Sequence, residues 1–170
     1  VYSVDDNFTT NFMTLLNNLP LFPLYYRGNT KFSPIHCSDL TDTIYNVISN
    51  NIYSKIIECA GPETFTFKEI IIKLLNLIEK KRILFPMPTT LAKISARIFE
   101  IMPNPLLTRD QLKLLKYDNI PSGKYKTNSD LGIPSLRFFD EEVKKYCYMW
   151  KEGGQYSTEK CSFNDDLKNK

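Results

Sequence analysis

Lys31–Asp39 reads K-F-S-P-I-H-C-S-D and runs straight into the helix-patterned segment Leu40–Ser49. Phe32 to Cys37 reads as a short extended segment, with Pro34 at an edge or at the strand start, where its missing N–H does least harm. The polar pair Ser38-Asp39 follows, and then Leu40, Ile44, Val47 and Ile48 recur at helical spacing. That spacing predicts a helix with a buried apolar stripe, capped by Ser38 or Asp39. An aspartate at a strand-to-helix turn meets outward-pointing backbone N–H groups, so Asp39 can cap the helix or hold a substrate loop. Taken alone, Asp39 is most simply a cap.

Towards the N-terminus, P-L-F-P-L-Y-Y-R-G-N (20–29) reads as a proline- and aromatic-rich loop ending in a turn. Before it, Phe8, Phe12, Leu15, Leu16 and Leu19 form the stripe of an amphipathic helix that Pro20 ends. D-D-N (5–7) is a turn and capping cluster, and Val1–Val4 reads as extended. V-Y-S-V without an initiating Met looks like the tail of a strand and is expected to continue a longer chain. The first residues given do not read as a charged-then-apolar leader, so no signal peptide is expected within them.

Towards the C-terminus, I-I-E-C-A (56–60) is an apolar run of buried-strand type, stopped by Gly61-Pro62. Thr66-Phe-Lys-Glu69 is a capping box, with Phe65 and Ile70 placed as a hydrophobic staple. The helix it opens carries Ile70, Ile71, Leu74, Leu75 and Ile78 on one face and ends in Lys80-Lys81-Arg82, cations at the favourable pole. I-L-F-P-M-P (83–88) reads as a short strand broken by Pro86 and Pro88. Helices are expected over Thr90–Met102 and, behind a second capping pattern at Thr108–Gln111, over Leu107–Lys116. Residues 117–129 are polar and loop-like, residues 129–134 a turn, and Phe138–Trp150 a last amphipathic helix. Residues 151–170 form a polar tail that is not expected to pack.

The 170-residue chain, 42% apolar, is long enough for one domain with a real core. A net charge of +3, with basic residues scattered among acidic ones, argues against a nucleic-acid footprint or a polybasic membrane patch. No apolar run is long enough for a membrane span. Cys37, Cys59, Cys147 and Cys161 form no C-x-x-C, and His36 is the only histidine. A zinc site and a Ser-His-Asp or Cys-His dyad are therefore not expected, and the cysteines read as reduced thiols of an intracellular protein. As neighbours on a strand, His36 and Cys37 would point to opposite faces. Strand–helix alternation at this spacing indicates an α/β protein, with one or two sheet strands and several helices, too few strands for a complete sheet.

Four segments carry a family resemblance in order. They are F-S-P-I-H-C-S-D-L (32–40) with its helix, A-G-P-E-T-F-T-F-K-E-I (60–70), L-T-R-D-Q-L-K-L-L-K-Y-D-N (107–119) and D-L-G-I-P (130–134). Over Val1–Trp150 the chain resembles the C-terminal half of the atypical extended short-chain dehydrogenase/reductases, within them the NAD(P)H-binding accessory subunit of respiratory complex I and its bacterial relatives. The resemblance implies a partial Rossmann-like fold, mainly its substrate-side part. It places His36 and Asp39 on the substrate side, Asp39 being the aspartate that follows the strand into that part's helix. Ser38 stands where relatives carry glycine, and Ser3 where they carry a turn glycine.

The glycine-rich phosphate-binding turn of the complete fold has no counterpart: the six glycines are scattered. No cofactor is therefore expected for this chain alone, whereas NAD(P)H is implied for the complete family fold. The Y-x-x-x-K pattern of catalytic family members fits only Tyr156–Lys160, in the tail and off any expected helix, so no residue is assigned as catalytic.

The resemblance implies a non-catalytic piece that acts in structure or assembly by packing on an N-terminal nucleotide-binding half, from the same or a separate chain, with respiratory complex I subunits as further partners. It implies a place in the cytoplasm or peripheral at the inner face of a bacterial or mitochondrial inner membrane. Two other readings stand beside it. One is half of an NAD(P)-dependent sugar-nucleotide epimerase or reductase. The other is a decayed product without function, consistent with the richness in Ile, Asn and Lys.

Overall fold

A computed structural model of the chain describes residues 1–87 and 113–156. Within these residues the protein is mixed α/β, with helices α1 (Thr9–Asn18), α2 (Cys37–Ser49), α3 (Phe67–Leu77) and α4 (Phe139–Lys144). Its strands are β1 (Leu21–Tyr25), β2 (Lys31–Phe32), β3 (Ile57–Glu58), β4 (Phe65–Thr66), β5 (Ile83–Met87) and β6 (Lys126–Thr127). They pair two by two: β1 with β5 and β3 with β6 in parallel, β2 with β4 antiparallel.

Helix α3 is the centre of the core because its apolar residues repeat every three to four positions. Ile70, Ile71, Leu74 and Ile78 are fully buried and Leu75 nearly so. Its start is the expected capping box: Thr66 Oγ1 accepts from the Glu69 N–H at 3.2 Å, and the Glu69 carboxylate accepts from the Thr66 N–H at 2.7 Å. The bonds donated to the Glu69 carboxylate by the Thr66 N–H and by the Thr66 hydroxyl hold that carboxyl below its ordinary value. Helices α1 and α4 pack on α3. Phe12, Met13, Leu15 and Leu16 of α1, Phe22 and Leu24 of β1, and Phe139 and Val143 of α4 complete one continuous core.

Helix α1 is held by Asp6 of the expected capping cluster, whose carboxylate accepts from the Phe8 and Thr10 N–H groups, both at 3.1 Å. The carboxylate also bonds the buried Thr9 hydroxyl, which in turn meets the Tyr146 hydroxyl at 2.8 Å. Burial pushes the Tyr146 hydroxyl up to about 12, against the Thr9 bond, which lowers it. At the other end of α1, Arg82 Nε donates to Leu16 O at 2.7 Å and Nη2 to Asn17 O at 2.9 Å. Arg82 therefore serves the carbonyl end of α1 rather than that of the helix preceding it in sequence.

Several local expectations are corrected. Residues 21–25, read as loop, are strand β1, and Pro86 does not break β5. The register places Pro23 opposite Phe85 and Leu24 opposite Pro86, and a two-stranded sheet consists only of edges, where proline needs no second ladder partner. The extended reading of Phe32–Cys37 shrinks to the end of β2 and two isolated parallel bridges, Phe32 to Asn119 and Tyr2 to His36, the second being also all that remains of a strand at Val1–Val4. Residues 56–60 are not a strand buried on both faces: β3 is two residues long, and Ile56 is 62% exposed. β6 lies in the segment read as loop. The last helix stops at Lys144 and continues as a separate 3-10 turn, Cys147–Trp150.

The turn at Ser129–Leu131, closed by left-handed Gly132, is as expected. Lys151 pairs with Glu79 at 2.6 Å, and Gly154–Tyr156 forms a 3-10 turn. The expected helix over Thr90–Met102, residues 107–112 of the next one, and residues 157–170 of the tail lie outside the described residues.

Candidate functional site

The sequence expects α2 to bury the row Leu40, Ile44, Val47 and Ile48, and the structure half-buries Leu40 and Val47 while leaving the two isoleucines outside. Asp39 and Thr43 are its buried residues, whereas Ile44, Tyr45 and Ile48 are 51, 70 and 68% exposed. Asp39 finds a charge partner inward. Its Oδ2 accepts from the Arg137 backbone N–H at 3.1 Å, and its Oδ1 pairs with the Arg137 guanidinium. The same Nη1 reaches Asp42 Oδ2 at 3.1 Å. The hydrogen bonds that Arg137 donates to Asp42 and Asp39 raise its pKa above the ordinary value. Thr43 donates back to Asp39 O at 2.8 Å, satisfying its own buried hydroxyl.

The cap of α2 is neither Ser38 nor Asp39. His36 is the N-cap, with Nδ1 accepting from the Ser38 N–H at 3.3 Å, and Cys37 is already helical, so the two do not alternate on a strand. That bond puts the proton of the neutral ring on Nε2, which faces Glu142 Oε2 at 3.9 Å. The imidazole meets the ring of Tyr2 edge-on, centroids 5.2 Å apart. Tyr2 is buried, bridged by its N–H to Ile35 O and by its carbonyl to the Cys37 N–H, both at 3.0 Å. Burial, then the nearby Glu142 charge, pushes its hydroxyl far above the ordinary tyrosine range.

The structure thus brings both candidates, His36 and Asp39, into one cluster and adds Tyr2, Arg137 and Glu142, which sequence reasoning had not singled out. Arg137 follows the turn at 129–134 and lies 98 positions from Asp39, so no local spacing announces the pair. A second unannounced hub is Asn128. Its buried amide accepts from the Ala60 N–H at 3.0 Å and donates to Ile133 O at 3.1 Å and Ser135 Oγ at 3.0 Å.

Chemically the cluster is self-contained. Both Asp39 oxygens are taken by Arg137, and Glu142 is taken by Lys145 at 2.7 Å. Asp39 and Glu142 thus each hold a cationic partner within the cluster. The arrangement works as a clasp, tying α2 and residue 2 to the segment that leads into α4. Tyr156 is 63% exposed, and its sequence partner Lys160 lies outside the described residues. Cys37, Cys59 and Cys147 are free thiols, the last two pushed up by burial. Among the described residues no three His, Cys, Asp or Glu side chains converge as a metal ion requires. No helix among them is long and apolar enough to cross a membrane.

No protein-family model matches this chain, and no curated protein matches it by sequence.

Proposed function

We propose that this chain is the substrate-side part of an NAD(P)-binding extended short-chain dehydrogenase/reductase of the complex I accessory type. It acts by docking on a nucleotide-binding half, not by catalysis of its own. One observation carries this reading: α2 keeps its carboxylate inside and its isoleucines outside. An amphipathic helix left to itself does the reverse. Here the ion pair lies on the inward side, and Ile44, Tyr45 and Ile48 are exposed, as are Tyr53 and Ile56 further along the chain. Exposed apolar side chains gathered on one helix mark an interaction face. The closed Asp39–Arg137 clasp favours the non-catalytic form over an epimerase or reductase half, because it turns the Asp39 carboxylate inward onto a structural partner.

The test mixes the chain with a separately expressed nucleotide-binding half of an accessory-type relative and measures the mass by light scattering. A one-to-one complex is expected. Ile44→Asp with Ile48→Asp, both on the exposed row, should abolish it without altering the circular dichroism of the lone chain. A mixture that stays at the two separate masses contradicts the reading.

A further inference from the structure

Helix α2 ends in a fully formed cap. The Ile52 N–H donates to Val47 O at 3.0 Å and the Asn51 N–H to Ile48 O at 3.1 Å, the paired bonds of a Schellman motif. Its left-handed position is Asn51, at φ 53°, where glycine is commonest and asparagine follows. The Asn51 side chain is engaged as well: its Oδ1 accepts from the Tyr53 hydroxyl at 2.6 Å. Tyr53 is 70% exposed, so this bond fixes a ring at the surface and not in the core.

We propose that Tyr53 is the anchor of the α2 docking face, that Asn51 is its positioning residue, and that the partner surface meets the Tyr53 oxygen with a hydrogen-bond donor. This rests on the docking reading of α2 and adds to it the chemistry of the partner. The cap bonds hold residues 51 and 52 against the last turn of the helix, the turn that carries the exposed Ile48, and Tyr53 follows directly. Tyrosine is among the residue types that dominate binding energy at interfaces. A surface side chain loses rotamer freedom when a partner covers it, and a tether already in place removes part of that cost. A phenol hydroxyl has one donor and two acceptor lone pairs, and here the donor is engaged with Asn51. What it still offers is an acceptor. A backbone N–H, a side-chain amide or a guanidinium satisfies it, whereas a carbonyl or carboxylate does not.

The full chain and three variants are titrated by calorimetry against the nucleotide-binding half of an accessory-type relative. Asn51→Gly keeps the left-handed cap and removes the tether. The circular dichroism of the lone chain should therefore stay unchanged while affinity falls by about threefold or more. Asn51→Asp keeps an acceptor for the hydroxyl and should bind like the wild type. Tyr53→Phe loses tether and acceptor together and should weaken binding by about tenfold or more. A complex that Asn51→Gly and Tyr53→Phe both leave at wild-type affinity overturns this inference while the docking reading stands. Equal losses in these two variants overturn the assignment of a donor to the partner. Absence of any complex with the wild type overturns the docking reading, and this inference with it. On the lone chain, NMR should show nuclear Overhauser contacts between the Tyr53 ring and the Asn51 side chain, and their absence overturns the inference with no partner present.

Discussion

At the scale of single residues, the account turns on Asp39. A buried carboxylate is tolerated only when paired and hydrogen-bonded, and Arg137 supplies both functions, a guanidinium and a backbone N–H. Asp39→Ala should therefore cost about 2–3 kcal/mol, less than the full penalty for a buried pair because the Arg137 side chain is still 35% exposed. Asp39→Asn keeps an acceptor for the backbone N–H and should recover roughly half of that loss. Urea melts of the two variants check the order. Equal stability of Asp39→Ala and the wild type would mean that the clasp holds nothing. The sequence made Asp39 visible through its position at the head of a helical pattern, but not its role, since a cap and a long-range partner look the same from one side. His36 drew notice as the only histidine, and nothing local marked it as the cap.

At the scale of elements, local rules succeeded where local physics decides and failed where tertiary partners do. The capping box at Thr66 and the α3 stripe were legible because every partner lies within a few residues. Strand β1 was not, since a proline within a run argues against a strand until its edge position is known. The α2 stripe was read with the right period but is only partly buried, Leu40 and Val47 half-covered and Ile44 and Ile48 outside, because the inward side is shared with Asp39 and its ion pair across 98 positions. Gly61 was legible as punctuation, yet its reason is contact: a Cβ there would stand 1.7 Å from the Pro34 carbonyl oxygen. Backbone lies on both sides, so no side chain can swing away. Gly61→Ala should destabilise the chain by about 2 kcal/mol or more, as overpacking against backbone does. It should also perturb the neighbouring Ser33–Thr64 hydroxyl bond, now 2.8 Å. A thermal melt unchanged by this substitution would show that 61 and 34 do not meet so closely.

At the scale of the whole molecule, two surfaces of different character emerge from one chain. The α1–α3–α4 core is continuous, and its helices have internal partners. By contrast, α2 is tied on by a polar clasp and makes no extended interface with another described helix or strand. The mixed α/β class was legible from the alternation of patterns. The pairing into three separate two-stranded sheets was not, because register and neighbour choice are long-range properties. The central claim is that the outward row of α2 exists to be covered by a nucleotide-binding half. Hydrogen exchange resolved along residues 37–58, with and without that half, tests it most directly. The account predicts that amides of α2 and of the segment through Ile56 slow by about tenfold or more on mixing, while those of α3, already protected, stay unchanged. Exchange in α2 that is indifferent to the nucleotide-binding half would contradict it.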